Sequence, residues 1–362
     1  MGNRAYNFNA GPAALPLEVL ERAARELVEY QGIGMSVMEI SHRSKEYEAL
    51  NDETQALIRE LFGVPSGYKV LFLQGGASTQ FAMIPMNLLT PGKSGSYVLT
   101  GAWAEKAYKE AKLFGDVSVA ASTEADKFMR MPAVSEIVVD PNTAYLHLTS
   151  NETIEGTQFA EFPDTGSVPL IADMSSDILS RPVDVSKFSL IYAGAQKNLG
   201  PSGVTVVIVR DELVEASPKG LATMLRYDIH AKNNSLYNTP PAYSVYMMNR
   251  VLQWLRDNGG VAAMEKRNIE KTDLIYNAID NSGGFYRGAA QPGSRSRMNI
   301  TFRLASEELE KQFIKESEQQ GFVGLKGHRS VGGLRASTYN AVPLESCKAL
   351  AEFMSDFQRR NG

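Results

Sequence analysis

The chain has 362 residues, with 37 Lys and Arg against 41 Asp and Glu and a formal net charge of −4. That length allows two or three domains with an ample core, and 43% hydrophobic with 22% charged residues excludes a disordered polyampholyte. A pI of about 5.8, without any run of Lys or Arg, excludes the basic stripe that a nucleic-acid partner requires.

The first residues, Met1-Gly2-Asn3-Arg4-Ala5-Tyr6, lack the apolar stretch of a secretory signal. Tyr6 stands where a myristoylation signal needs Ser or Thr. No apolar run approaches the roughly 18 residues of a membrane span. The single cysteine, Cys347, cannot close an intramolecular disulfide. The expectation is a cytoplasmic protein with neither membrane nor nucleic acid as partner.

From about residue 69 to 210, short β-branched or aromatic runs alternate with helical patterns. A strand at 70–73 leads through Gly75-Gly76-Ala77-Ser78 into a helix at 79–89. A strand at 97–99 leads into a helix at 103–114, where Trp103, Ala107, Ala111 and Phe114 share one face. Further strands fall at 145–148, 168–171, 190–192 and 204–209. Strands separated by crossover segments predict an α/β fold with a largely parallel sheet. The continuous apolar run at 204–209 fits a strand buried on both faces. A helix at 250–257 then stops at the hinge signal Asn258-Gly259-Gly260, and a helix follows at 261–279. A strand at 299–304 and helices at 306–320 and 345–359 make the tail a separate α+β domain of about 100 residues.

Several chemistries lack their motifs. Gly32-x-Gly34 is followed by Val37 where a dinucleotide fingerprint needs glycine, and Gly92-Lys93-Ser94 has Asn87 where a P-loop begins. No Gly-x-Ser-x-Gly elbow is present. His42, His147, His230 and His328 are too scattered to suggest a metal site.

What remains is positional, because ligands of open α/β sheets bind outside the carboxyl ends of the strands. The residues there are the Gly75-Gly76-Ala77-Ser78 turn, Trp103, Thr153, Asp173, and Gln196-Lys197. They supply a helix N-terminus for phosphate, an aromatic plate, a hydroxyl, a carboxylate and an amine, the parts that hold a phosphorylated pyridine aldehyde. Singly, each has a bland explanation: a tight turn, a core aromatic, a helix cap. Lys197 is less easily dismissed, since it sits among small residues between two apolar strands. Asp173 and Lys197 also follow successive strands that could share one sheet.

With these residues in place the chain resembles the fold-type I pyridoxal-phosphate enzymes, and more narrowly the phosphoserine aminotransferase family within class V. The matching segments run in order along the whole chain. They are Asn7-Phe8-Asn9-Ala10-Gly11-Pro12, Ser41-His42-Arg43-Ser44, Phe72-Leu73-Gln74-Gly75-Gly76-Ala77-Ser78, Ala193-Gly194-Ala195-Gln196-Lys197-Asn198, Asn238-Thr239-Pro240-Pro241, and Gly327-His328-Arg329-Ser330 leading into Gly332-Gly333-Leu334-Arg335-Ala336-Ser337. One departure is the stretch after the double glycine, Ala77-Ser78-Thr79, where some branches carry arginine.

The resemblance implies a large cofactor-binding α/β domain over residues 16–258 and a small α+β domain from residues 1–15 and 259–362. It implies pyridoxal 5′-phosphate as cofactor, joined to Lys197, which also moves the substrate's proton. Asp173 is implied to keep the ring nitrogen protonated, Trp103 to stack on the ring and Thr153 to bond the phenolic oxygen. Ala77, Ser78 and Gln196 are implied to meet the phosphate, with Asn238 and Thr239 reaching in from a second subunit of a homodimer with shared sites. Arg335 is implied to bind the substrate α-carboxylate. The pairs His42-Arg43 and His328-Arg329 suit a substrate with a distal dianion, because arginine's planar fork matches phosphate and carboxylate.

The implied reaction is amino transfer between O-phospho-L-serine and 2-oxoglutarate, yielding L-glutamate, in serine biosynthesis. Activity on 4-phosphohydroxy-L-threonine, in pyridoxine biosynthesis, is implied as well. The alternatives are another fold-type I enzyme, either a transaminase acting on an unphosphorylated amino acid or a desulfurase, and a catalytically silent small-molecule binder. Cys347 is poorly placed to carry a persulfide, and the intact Lys197/Asp173 pair speaks against a silent binder.

Overall fold

The strand Thr205–Arg210 reads Thr-Val-Val-Ile-Val-Arg, and its first five residues are buried. A strand of this kind needs a covering layer on both faces, and the computed structural model, which describes residues 4–362, supplies both. The central sheet has seven strands, in spatial order Tyr68–Leu73, Thr205–Arg210, Leu190–Gly194, Leu170–Asp173, Tyr145–Thr149, Gly95–Leu99 and Val117–Ser122. Thr205–Arg210 runs antiparallel to both neighbours, and every other pairing is parallel. One face packs against a cluster that includes Ile58, Met248 and Leu252, and the other against one that includes Phe81, Ile84 and Ala107.

Two of the shifted boundaries bear on the site. The strand anticipated at 168–171 is Leu170–Asp173, so Asp173 is its last residue rather than a point beyond it. The helix anticipated at 79–89 is Gly76–Leu88, so the glycine turn is the helix's own first turn. Gly75 makes that start possible: its φ is +92°, and a Cβ there would lie 1.9 Å from Thr79 Oγ1. Among the elements not anticipated are the edge strand Val117–Ser122 and the helices Leu17–Glu26 and Lys45–Phe62. Ser44, from the Ser-His-Arg-Ser segment, caps the last of these by accepting from Tyr47 N–H at 3.3 Å.

The C-terminal third builds a small antiparallel sheet from Arg287–Gly288, Asn299–Arg303 and Leu334–Ser337, in which Thr301 pairs with Arg335. The helices Gly260–Asp280, Glu307–Gln319 and Leu344–Asn361 accompany it. The chain start joins this region: Tyr6–Asn7 pairs with Phe322–Val323, and Phe8 sits in one cluster with Ile300, Phe313 and Phe353. Asn258 and Gly259 alone separate the helices Ala242–Asp257 and Gly260–Asp280. No helix among the described residues is long and apolar enough to cross a membrane.

Candidate active site

Because the parallel strands end at one edge of the sheet, the residues that follow them converge. A cavity of about 350 Å³ opens there, lined by Trp103, Thr153, Asp173 and Lys197 from the large sheet's strand ends, by Arg335 from the small sheet and by His328 from the loop before that strand. Ala77, Ser78 and Gln196 complete the set of anticipated residues on its wall. Five anticipated residues do not line it: His42, Arg43, Arg329, Asn238 and Thr239. Arg43, Arg329 and Thr239 are exposed. Asn238 donates to Gln74 Oε1 at 2.9 Å, just ahead of the glycine turn.

Lys197 Nζ donates to Thr153 Oγ1 at 2.7 Å and lies 5.6 Å from the centre of the Trp103 indole. Burial pulls the Lys197 ammonium down to about 8, against the carboxylates of Asp173 and Glu152, which favour the charged form. Asp173 is 5% exposed. Burial raises its carboxyl, while Ser175 and Lys197 oppose the rise. The Ser175 N–H donates to Asp173 Oδ1 at 2.8 Å. No helix begins at Asp173, so the capping role that its sequence context allowed does not apply; the carboxylate bonds its own turn and faces the cavity.

Behind Asp173 lies a group that single-sequence reading missed. Tyr192, paired with Asp173 across the sheet, bonds His147 Nε2 through its hydroxyl at 2.9 Å and also meets the Asp173 carboxylate. Burial pulls the His147 imidazole down to about 3, so the ring is neutral. A neutral ring that donates through Nε2 leaves the tyrosine proton free for Asp173, and it leaves Nδ1 bare, as found. Alternation along the strand 145–149 would have placed His147 on the Asp173 face, but nothing in the sequence paired it with Tyr192.

The residues fit a pyridoxal-phosphate-like guest. The Gly76–Leu88 helix starts with no side-chain cap and no acidic residue in its first turn, leaving its amides for an anion. Trp103 Nε1 and Arg335 Nε are buried donors with no partner among the described residues, both on cavity-lining side chains. Arg335 Nη1 is anchored on the Thr153 carbonyl at 3.1 Å.

The aminotransferase class-V family model matches residues 5–350. The phosphoserine aminotransferase of Niallia circulans is 68% identical over the full length of both chains. Among solved structures, phosphoserine aminotransferase from Bacillus circulans subsp. alkalophilus superposes with a TM-score of 0.99 at 68% identity, covering 100% of each chain. The pyridoxal-phosphate-bound phosphoserine aminotransferase of Trichomonas vaginalis matches 97% of this chain and 100% of its own, with a TM-score of 0.92 at 41% identity. Fold and sequence agree, and the chain belongs to the phosphoserine aminotransferase family of class-V aminotransferases.

Proposed function

We propose that this enzyme uses pyridoxal 5′-phosphate to move an amino group between O-phospho-L-serine and 2-oxoglutarate, in the cytoplasm and as a homodimer. The observation that carries the reading is one cavity joining a lysine held by a threonine, a buried carboxylate, an indole wall and an arginine with an unpaired donor. When bound, the cofactor supplies an aldehyde carbon for amine exchange and a protonated ring that withdraws electrons. Lys197 Nζ takes and returns the substrate Cα proton, and Thr153 Oγ1 keeps that amine turned into the cavity. Asp173, supported by Ser175 and Tyr192, holds a proton at the ring nitrogen. The first turn of the Gly76–Leu88 helix and Ser78 bind phosphate, and Gln196 adds a side-chain amide.

Arg335 binds the substrate α-carboxylate through its unpaired Nε edge, and His328 stands beside it for the distal anion. Phosphoserine and glutamate share an α-carboxylate and a distal anion, so one site serves both directions of transfer. The homologous 4-phosphohydroxy-L-threonine presents the same two ends and is a further substrate. Support for a dimer comes from apolar side chains left in solvent around one cluster of the N-terminal helices. Val28 is 80% exposed and Met38 56%, and Tyr237, beside Asn238, is exposed as well.

The test is a donor screen. The holoenzyme is mixed separately with phosphoserine, glutamate, serine and aspartate, and the visible absorbance of bound cofactor is followed. Phosphoserine and glutamate should bleach it, with serine and aspartate far slower. A faster reaction with serine than with phosphoserine would overturn the substrate reading.

A further inference from the structure

The Ala102–Ala111 helix carries Trp103 in its first turn, preceded by Gly101, which has no side chain to cap it. Its first amides are bonded from outside the helix. Ala102 N–H donates to Glu155 Oε1 at 2.9 Å. Trp103 N–H donates to Glu152 Oε2 at 3.2 Å, and Ala104 N–H to Glu152 Oε1 at 3.1 Å, where the Thr100 hydroxyl joins at 3.2 Å. Gly101 permits this approach. A Cβ there would sit 2.5 Å from Glu155 Oε2 and 2.7 Å from Glu152 Cδ, so the two carboxyls flank one Cα.

Two negative charges so placed are costly. Glu152 is 0% exposed; burial and the neighbouring Glu155 push its carboxyl up against the bonds from Ala104, Trp103 and Thr100, while burial and Glu105 push the Glu155 carboxyl up against the Ala102 bond and Arg335. The nearby cations do not bond them: Lys197 Nζ and Arg335 Nη1 both spend their hydrogen bonds on Thr153, between the two glutamates. The donors are unequally shared. Glu152 faces three, whereas Glu155 Oε1 faces one and the buried Oε2 faces none among the described residues. Hydrogen bonds favour charge where the donors are, and a proton on Glu155 removes the bare charge from Oε2.

We propose that Glu152 and Glu155 are a pair of positioning residues, the first ionised and the second protonated, which clamp the helix N-terminus and so fix the Trp103 indole on the wall of the cavity. A negative charge on Glu152 also matches the positive end of the helix. The clamp itself follows from the helix geometry; its effect on the cofactor rests on the reading of the cavity given above.

The test uses the full-length chain. Trp103 and Trp254 are its two tryptophans, so Trp254→Phe leaves Trp103 as the reporter. In the cofactor-free protein, Glu152→Gln should red-shift Trp103 emission and lower its anisotropy. Pyridoxal phosphate should then bind about tenfold more weakly, as expected for about 1.4 kcal/mol. Glu155→Gln copies the protonated acid and should leave both readings within about twofold. With Trp103→Phe as background, Glu152→Gln should cost no further affinity, because the clamp acts through the indole. Additive losses, unchanged Trp103 emission, or equal effects of the two Gln variants would overturn the proposal. A changed emission with unaltered cofactor affinity would leave the clamp standing and remove Trp103 from the cofactor site. Should Glu152→Gln not fold, Thr100→Val removes one donor and enters the same cycle; a smaller shift of the same sign supports the clamp, and none overturns it.

Discussion

Thr153 holds Lys197 by its hydroxyl at 2.7 Å and, through its carbonyl at 3.1 Å, also receives Arg335. One residue thus sets the distance between the amine that handles the proton and the guanidinium assigned to the substrate carboxylate. Thr153→Val separates the two functions, since it deletes the hydroxyl and keeps the carbonyl. A lost hydrogen bond to a charged group is worth about 1.5 kcal/mol or more, so kcat should fall about tenfold. KM for phosphoserine should change by less than about threefold. An equal loss in both parameters would mean that the hydroxyl serves binding instead.

Lys197 gives a pH prediction whose sign follows from its surroundings. Burial lowers its ammonium to about 8, and Asp173 is the strongest charge opposing that fall. In the cofactor-free protein, capture of a small aldehyde with a reductant should rise with pH and reach half its maximum near pH 8. Asp173→Asn should move that midpoint lower, because the neutral amide no longer favours the ammonium. The folded pKa lies below the unfolded one, so the unfolded chain holds the extra proton between about pH 8 and 10.5, and this group's contribution to stability rises with pH across that window. Peptide mapping distinguishes Lys197 from other lysines; a midpoint near that of a free lysine would contradict the assignment.

The arginines should divide by specificity. Arg335→Ala should weaken every amino donor, since all carry the α-carboxylate. Arg43→Ala or Arg329→Ala should penalise phosphoserine over alanine by about 10- to 100-fold in kcat/KM, as for the loss of a charge-assisted hydrogen bond of about 1.5–3 kcal/mol. Both arginines are exposed and lie off the cavity wall of their own chain, so a change in the ratio would also show that the loops approach the bound substrate. Equal losses for both donors would make them structural.

The chain positions of most central strands and the ends that matter are legible because burial leaves a chemical trace. A run such as Val204–Val209 is apolar on both faces whatever surrounds it, and the small residues around Lys197 leave an unexplained charge. The edge strand Val117–Ser122 left no such trace, because only Ala120 on it is buried. Nothing local in the sequence sets Glu152 and Glu155 apart from ordinary solvated carboxylates. Their burial depends on three amides of a helix some fifty residues earlier, a pairing no local pattern encodes. His147 behind Asp173 is hidden for the same reason, since its partner is supplied by another strand.

Lys271 shows a buried charge put to structural use. Its Nζ donates to the carbonyls of Thr338, Tyr339 and Val342 at 3.0, 2.8 and 3.2 Å, one N–H to each. Burial lowers its ammonium to about 8, so it remains charged at neutral pH. The turn it gathers follows the strand of Arg335, and Tyr339 in turn donates to the Ala10 carbonyl at 2.7 Å. Lys271→Met fills the volume but leaves the Thr338 and Val342 carbonyls without a donor, at about 1–3 kcal/mol each, and leaves the Tyr339 carbonyl with only the Val342 N–H at 2.9 Å. A loss of about 3 kcal/mol or more in unfolding free energy is expected by urea titration. A change below about 0.5 kcal/mol would show that the carbonyls do not depend on the lysine.

The proposal that two subunits share each site is open to a test of complementation. Asn238-Thr239-Pro240-Pro241 is an extended segment fixed by its two prolines. It does not line the cavity of its own chain: Asn238 bonds Gln74 and Thr239 is exposed. An arm that does not line its own cavity and lies beside exposed Tyr237 is suited to a neighbour's site, and a two-fold dimer would then contain two sites of mixed origin. A ligand bridging two subunits also stabilises their assembly by mass action, so the cofactor should lower the dimer's dissociation constant. Subunits carrying Lys197→Ala are combined with subunits carrying Asn238→Ala and Thr239→Ala, and the heterodimer is isolated by differential tags. If the sites are shared, one site collects every substitution and the other none. The heterodimer should then retain about half the wild-type activity and one tightly held cofactor, while both parent homodimers are impaired. If the arm serves its own subunit, each site carries one defect and no wild-type site exists. Activity no better than that of the parents would therefore remove Asn238 and Thr239 from the partner's cofactor phosphate.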